Sequence, residues 1–263
     1  MKELLKRWPA LSAGLSGRPV LLLLDFDGTL SPLRNHPDKA VLPHSAKPLL
    51  EKLARARGVT LGFVSGRELK TLRDKVRVKG AIYSGNHGCR TSGPGVSRSV
   101  KIPAKQLGAL RGLYNSLITE TKGVPGVLIE KKAFSTGLHY WRVKPADRAA
   151  QLAAFDRLFA KHSGGGLLKA KHGKFIVEAG PASAWHKGDA VAHILKNTAK
   201  RPGNRGLYPI YIGDDSTDED AFRALRRIGI TARVGGKGRT EAEYSLPDIP
   251  SVRRFLRLLL ESR

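Results

Sequence analysis

Apolar residues arrive along this chain in short, separated runs. Val20 to Leu24 reads VLLLL, five positions without a polar side chain, as in a strand covered on both faces. Polar residues then intervene until HSAKPLLEKLARA (His44 to Ala56), where apolar positions recur at helical spacing. VTLGFVSG (Val59 to Gly66) and AIYSGNHG (Ala81 to Gly88) are further β-rich runs with a helix between them. Strand and helix therefore alternate, a pattern that builds a parallel sheet with right-handed crossovers.

The texture changes near Lys101 to Lys105. A helix over Lys105 to Thr121 leads to GVLIEKKAFSTGLHYWRV (Gly126 to Val143), which reads as two strands joined by a short turn. A second helix, Ala146 to His162, stops at Gly164 to Gly166, and two short strands follow, GLLKAKHG and KFIVEAG. From Trp185 the alternation resumes with a helix to Lys200, then YPIYIGDD (Tyr208 to Asp215), a helix opening at TDEDAF, GITARVG, and a closing helix PSVRRFLRLLLESR. The pattern predicts an α/β parallel-sheet core made of residues 1–104 and 181–263, interrupted by an α+β insert over residues 105–180.

Composition narrows the setting. The chain has 263 residues, 41% hydrophobic and 26% charged, enough for a sizeable core and outside the disordered range. Its one cysteine, Cys89, excludes an internal disulfide and a cysteine-rich zinc site, which points to a reducing compartment. Pro9, Gly14 and Gly17 interrupt the N-terminal apolar stretch that a signal peptide needs, and no run approaches the roughly 20 apolar residues of a membrane span. A cytoplasmic protein without a membrane partner is expected. The formal charge is +25, and every segment shares it: 19 basic against 7 acidic residues in 1–104, 13 against 5 in 105–180, and 15 against 10 in 181–263. The densest basic stretch, Arg67 to Lys79, lacks the interleaved aromatics of a base-stacking surface. Nucleic acid is thus not the expected partner, whereas anionic ligands, phosphate esters included, are favoured.

Against that positive background stand acids at strand ends, where open parallel sheets bind their ligands. Asp25 and Asp27 follow VLLLL, Ser65 follows VTLGFV, and Asp214 and Asp215 follow YPIYIG, opening DDSTDED with five acids in seven positions. Crowded carboxylates raise one another's pKa unless a cation joins them, and a hard divalent ion such as Mg²⁺ suits an all-oxygen set. Thr217 or Asp218 also suits a helix start, with acids in the first turn favourable to the dipole. The Asp25–Asp27 pair suits phosphoryl chemistry, one carboxylate attacking phosphorus and the other cycling a proton. Gly28 and Thr29 supply a tight turn whose amides can face an anion. Lys187, before Gly188 at the mouth of a helix, can meet a phosphate.

DFDGT, an isolated serine at a second strand end, a later lysine and GDDxxDxD resemble the signature motifs of haloacid dehalogenase (HAD) superfamily phosphatases. LDFDGTLSPLRNHPDKA, VSGR, YSGNHG, IEKKAFSTGLHY, WHKGDAV and YIGDDSTDEDAF resemble, in order, the trehalose-6-phosphate phosphatase family. The resemblance implies a HAD-like Rossmannoid parallel-sheet core with an inserted α+β cap that reads the sugar. It implies Asp25 as nucleophile, Asp27 as general acid and base, Ser65 and Lys187 on the phosphate, and Mg²⁺ held by Asp25, Asp214 and the Asp27 carbonyl. Gly28, Thr29, Arg67, Asp215 and Asp218 would support them, and Glu130, Lys132, Glu178, His87 and His139 would bind the sugar. Mg²⁺-dependent hydrolysis of trehalose 6-phosphate to trehalose and phosphate, through an aspartyl phosphate, is the implied reaction. A trehalose-6-phosphate synthase partner fits the resemblance but has no signature in the chain.

Three positions depart from the family pattern: Asn86 in GNHG, Trp141 in HYWR, and Gly180 where the family has arginine. If the HYWR segment is a strand, the inserted Trp141 turns Arg142 to the opposite face. A related sugar phosphatase acting on glucosyl phosphoglycerate, sucrose phosphate or a hexose phosphate is one alternative. A nucleic-acid or polyanion-binding protein on an inactive phosphatase scaffold is the other.

Overall fold

The computed structural model describes residues 1–34, 37–173, 175–236 and 238–263. Asn35 and His36 of the first family-like stretch, and Lys174, which opens KFIVEAG, lie outside the described residues. The chain divides into two units, Met1–Ser99 with Trp185–Arg263, and Val100–Ala184.

The larger unit begins with β1 (Lys2–Glu3), α1 (Leu4–Gly14), β2 (Val20–Leu24), α2 (Lys47–Arg55), β3 (Val59–Val64), α3 (Leu69–Val76) and β4 (Ile82–Gly85). A hairpin, β5 (Arg90–Gly93) and β6 (Val96–Ser99), follows. The smaller unit contains α4 (Ala104–Glu120), β7 (Leu128–Lys131), β8 (Thr136–His139), α5 (Arg148–His162), β9 (Leu168–Gly173) and β10 (Ile176–Pro181). The chain then returns with α6 (Lys187–Ala199), β11 (Tyr208–Gly213), α7 (Glu219–Leu225), β12 (Ile230–Val234), β13 (Tyr244–Leu246) and α8 (Ile249–Glu261).

The larger sheet runs β1-β13-β12-β11-β2-β3-β4-β5-β6, parallel as far as β4 and closed at one edge by the antiparallel β5–β6 hairpin. Both faces are covered, which explains why β2 has no polar position. Leu22 and Leu24 pack into a core with residues of α1, α2, α3 and α8. Leu21 and Leu23, one residue out of phase, pack with residues of α6 and α7 on the other face. At Gly62 of β3 a methyl group would lie 2.7 Å from the Leu23 side chain, so the absence of a side chain there lets Leu23 fit. β2 lies between β3 and β11, and the sheet grows outward in both directions from that pair. Asp25 and Asp214 thus leave adjacent strand ends at the switch point, where such sheets form their binding crevice.

In the smaller unit, strands β7-β8-β10-β9 form an antiparallel sheet. The apolar side of α4 and α5 covers it through Leu113, Leu117, Leu138, Phe155 and Val177. β8 ends at His139, so Arg142 lies in the turn beyond it, and the expected reversal of face within a strand does not apply. Gly180 sits on β10 with the Phe134 carbonyl 2.9 Å from where a Cβ would be, so an arginine there would have to displace backbone.

Candidate active site

The site grows from four turns of the larger unit. The chain leaves β2 with the Asp25 N–H bonded to the Ile212 carbonyl of β11, which buries Asp25 between the two strands. After Asp27 the chain turns back with Leu30 and Ser31 N–H groups on the Phe26 carbonyl. Gly28 takes φ +80°, and a Cβ there would lie 2.0 Å from Asp214 Oδ2, so the carboxylate of Asp214 rests on bare backbone. Contrary to expectation, the Gly28 amide does not face an anion: it donates to the Ser31 carbonyl at 2.7 Å, closing the turn. The hydroxyls of Thr29 and Ser31 in this turn are buried and have no hydrogen-bond partner among the described residues.

Lys187 opens α6. His186 precedes it in extended conformation, accepting from the Asp189 N–H while Asp189 Oδ2 accepts from the His186 N–H, a capping box that starts the helix two residues later than Trp185. The Lys187 ammonium is buried and donates at 2.8 Å to both Asp25 Oδ1 and Asp218 Oδ1. Asp218 stands at the N-cap position of α7, yet its side chain does not cap that helix. It turns inward and accepts from Lys187, from the Tyr211 hydroxyl at 2.5 Å, and from the Asp214 and Asp215 amides at 3.1 Å each. At Gly213 a methyl group would lie 2.2 Å from Asp218 Cγ, so this glycine makes room for it. Asp215 instead accepts from the Thr217 N–H and hydroxyl.

Burial pushes the Asp25 carboxyl well above the usual range, aided by Asp218, Asp214 and Asp215 and opposed by Lys187. Lys187 is held well above the ordinary lysine value: burial works against the charge, and Asp218 and Asp25 overcome it. Asp214 is pushed up to about 8 by burial and by its neighbours Asp218 and Asp215. Asp215 is lowered, because the charge of Lys187 and the Thr217 hydrogen bonds more than reverse the effect of its partial enclosure.

Asp25, Asp214 and Asp218 each offer an oxygen, and these lie within 4.8 Å of one another. Since the four hydrogen bonds on Asp218 already occupy it, Asp25 and Asp214 are the carboxylates left for a cation. A hard divalent ion fits this all-oxygen set and would relieve the charge that raises Asp214.

Asp27 lies in a different contact. Arg67, after β3, grips it with Nε and Nη2 at 2.7 and 2.6 Å, a bidentate pair, and stacks over Phe26. The buried Ser65 hydroxyl accepts from the Arg67 N–H. His87 belongs to the larger unit, in a left-handed turn with Asn86, its ring against Gly66 and its N–H on the Ser65 carbonyl. The strand expected through Gly88 consequently ends at Gly85.

Glu130, Lys132, Glu178 and His139 converge in the smaller unit. Glu130 and Glu178 face Gly137 from either side in register, and the side chains of Ile176 and His139 pack over that glycine. Lys132 Nζ lies 2.9 Å from Glu178 and 3.5 Å from Glu130, His139 Nε2 is 2.9 Å from Glu130, and Ser135 donates to Glu178 at 2.6 Å. Burial would raise Glu130, but His139 and Lys132 hold it below the usual carboxylate range. Tyr211 and Ser135 are the residues that the sequence reading missed; Tyr211 reads as one more apolar position of YPIYIG.

A doubly covered parallel sheet with paired acids, a buried lysine and a carboxylate cluster at its switch point defines a hydrolase of the HAD class. A haloacid dehalogenase-like hydrolase from Bacteroides thetaiotaomicron shares the fold at TM-score 0.65 and 13% identity over 92% of this chain and 100% of that one. The family model for trehalose-phosphatase matches residues 23–249, and the chain belongs to that family. Trehalose-phosphate phosphatase B of Arabidopsis thaliana is 33% identical over 258 residues, 93% of this chain and 67% of that protein. The C-terminal domain of Candida albicans trehalose-6-phosphate phosphatase superposes at TM-score 0.81 with 23% identity, covering 99% and 98% of the two chains.

Proposed function

We propose that this protein hydrolyses trehalose 6-phosphate to trehalose and phosphate, with Asp25 as nucleophile. An Asp25 oxygen attacks phosphorus, the bond from phosphorus to the sugar oxygen breaks, and the departing oxygen takes a proton from Asp27. Asp27 then takes a proton from water, whose oxygen attacks phosphorus; the bond to Asp25 breaks and phosphate leaves. Lys187 balances the charge of Asp25 and the transferring group, Asp218 aims Lys187, and the Ser65 hydroxyl donates to a phosphate oxygen. Asp214 and Asp25, with the Asp27 carbonyl, would hold Mg²⁺, which when bound neutralises phosphoryl charge. Arg67 fixes Asp27 through two hydrogen bonds and keeps it out of the Lys187 network.

The observation that carries this reading is the Lys187 ammonium held at 2.8 Å by two buried carboxylates, Asp25 and Asp218. The smaller unit is read as the cap, with Glu130, Lys132, Glu178 and His139 holding the hydroxyls of the unphosphorylated glucose, since carboxylates beside an ammonium match groups that both donate and accept. The single cysteine of the chain, Cys89, and a phosphorylated sugar substrate favour the cytoplasm. Among the described residues no helix is long and apolar enough to cross a membrane.

Phosphate release with Mg²⁺ from trehalose 6-phosphate, sucrose 6-phosphate and glucose 6-phosphate tests the assignment. Trehalose 6-phosphate should be preferred by about tenfold or more in kcat/KM, and Asp25→Asn should lower kcat by at least about 10³. Equal turnover of glucose 6-phosphate would remove the substrate and leave the class.

A further inference from the structure

A second concentration of charge lies at the other end of the sheet. Asp25 and Ser65 follow the carboxyl ends of β2 and β3, whereas Arg55 precedes the amino end of β3, and Arg77 and Lys79 precede the amino end of β4. There a depression of about 400 Å³ is lined by Lys47, Glu51, Arg55, Arg77 and Lys79: four cations and one acid. Its size falls in the range of small-molecule sites. Glu51 lies 4.0 Å from Lys47, a loose pair that leaves most of the positive charge uncompensated.

Helix dipoles account for part of this set. Arg55 ends α2 and Arg77 caps α3, places where a cation is favourable. Lys47 is the first residue of α2, where a cation is unfavourable, and Lys79 lies beyond α3 altogether. Moreover, the turn that presents Arg77 and Lys79 is pinned. Val78, between them, is buried, and the Tyr83 hydroxyl accepts from its N–H and donates to its carbonyl, both at 2.8 Å. Arg77, at φ +52°, donates from Nε to the Asp74 carbonyl at 2.7 Å. A solvated basic loop needs none of this fixing; a preorganised anion site gains affinity from it.

We propose that Lys47, Arg55, Arg77 and Lys79 form a binding site for a compact oligophosphate, of the pyrophosphate or tripolyphosphate class, separate from the catalytic centre. Net positive charge carried by four exposed side chains around a small depression matches several linked phosphates, and two guanidinium forks suit their oxygens. Among the described residues no aromatic side chain lines the depression, so nucleobases find no stacking surface there. On the other flank of α2 a second depression carries Lys52, Arg253 and Arg257 beside Glu261, which extends the positive field around the site.

The test is calorimetric titration of the full-length protein with sodium tripolyphosphate in EDTA-containing, low-salt buffer. Two double variants change the net charge equally: Arg55→Glu with Lys79→Glu in the site, and Lys122→Glu with Lys161→Glu on the smaller unit. Site-directed reversal should weaken tripolyphosphate binding by about tenfold or more, while the control should change it by less than about twofold. Both should retain wild-type phosphatase turnover, which shows that they fold. Asp25→Asn should bind tripolyphosphate like the wild type. Equal weakening by both double variants would reduce the effect to net charge and overturn the proposal, as would binding abolished by Asp25→Asn. Duplex DNA competing as strongly as tripolyphosphate would replace the compact site with a nucleic-acid surface.

Discussion

Asp214 is the residue whose state depends most on what joins it. Burial and two neighbouring carboxylates push it up to about 8, so without a cation it holds its proton near neutrality. The sign for stability follows from linkage. A carboxyl raised on folding binds more protons folded than unfolded between about 4 and 8, and stability must fall as pH rises through that window. EDTA-treated protein should therefore melt at progressively lower temperature from pH 5 to pH 8, and Asp214→Asn should flatten this trend. Mg²⁺ added at pH 7 should release protons, seen as a binding heat that varies with buffer ionisation enthalpy. A trend unchanged in Asp214→Asn would mean that another group titrates. Asp214 and Asp25 were legible in the sequence because charged residues ending apolar runs cost too much to be incidental, whereas Lys187 ends no such run and was read from its place before Gly188 at a helix start and from the family-like WHKGDAV. The different duties of Asp214 and Asp218 were legible only through the family resemblance, not in the residues themselves. Both are acids four positions apart, and only the inward turn of Asp218 onto Lys187 and Tyr211 separates a free ligand from a fully bonded support.

At the scale of elements, α6 shows how a helix start and a functional group are tied. Lys187 is the first residue of α6, directly after the His186 cap that Asp189 completes. Asp189→Ala should cost about 1 kcal/mol, lowering Tm by about 2 to 4 °C. Turnover at 25 °C should stay within about twofold, because Asp25 and Asp218 hold the ammonium whatever the helix end does. Thermal melts and initial rates on the same preparation check both halves; lost activity with an unchanged Tm would show that the cap, not the carboxylates, aims Lys187. The long apolar runs were readable as strands because both faces of the sheet are covered. The β5–β6 hairpin was not: in RTSGPGVSRS only Thr91 and Val96 are buried, too little to leave an alternating pattern. Likewise β1 and β13 are held by neighbours in the sheet rather than by their own two or three residues.

At the scale of the whole molecule, the +25 charge and the acidic site oppose each other. The acids act at contact distance, within the buried network around Lys187, whereas the excess of lysine and arginine acts over a Debye length, about 10 Å at 0.1 M salt. An incoming phosphate dianion first meets the long-range positive field, which raises the encounter rate, and then the local chemistry. Salt screens the first and hardly touches the second, since Lys187, Asp25 and Asp218 are buried. Raising NaCl from about 0.02 to 0.3 M at saturating Mg²⁺ should thus lower kcat/KM for a sugar phosphate several-fold and leave kcat within about twofold. Steady-state rates at constant pH measure both parameters. A fall in kcat with kcat/KM unchanged would put the salt effect inside the site, and the surface charge would then have no part in gathering substrate.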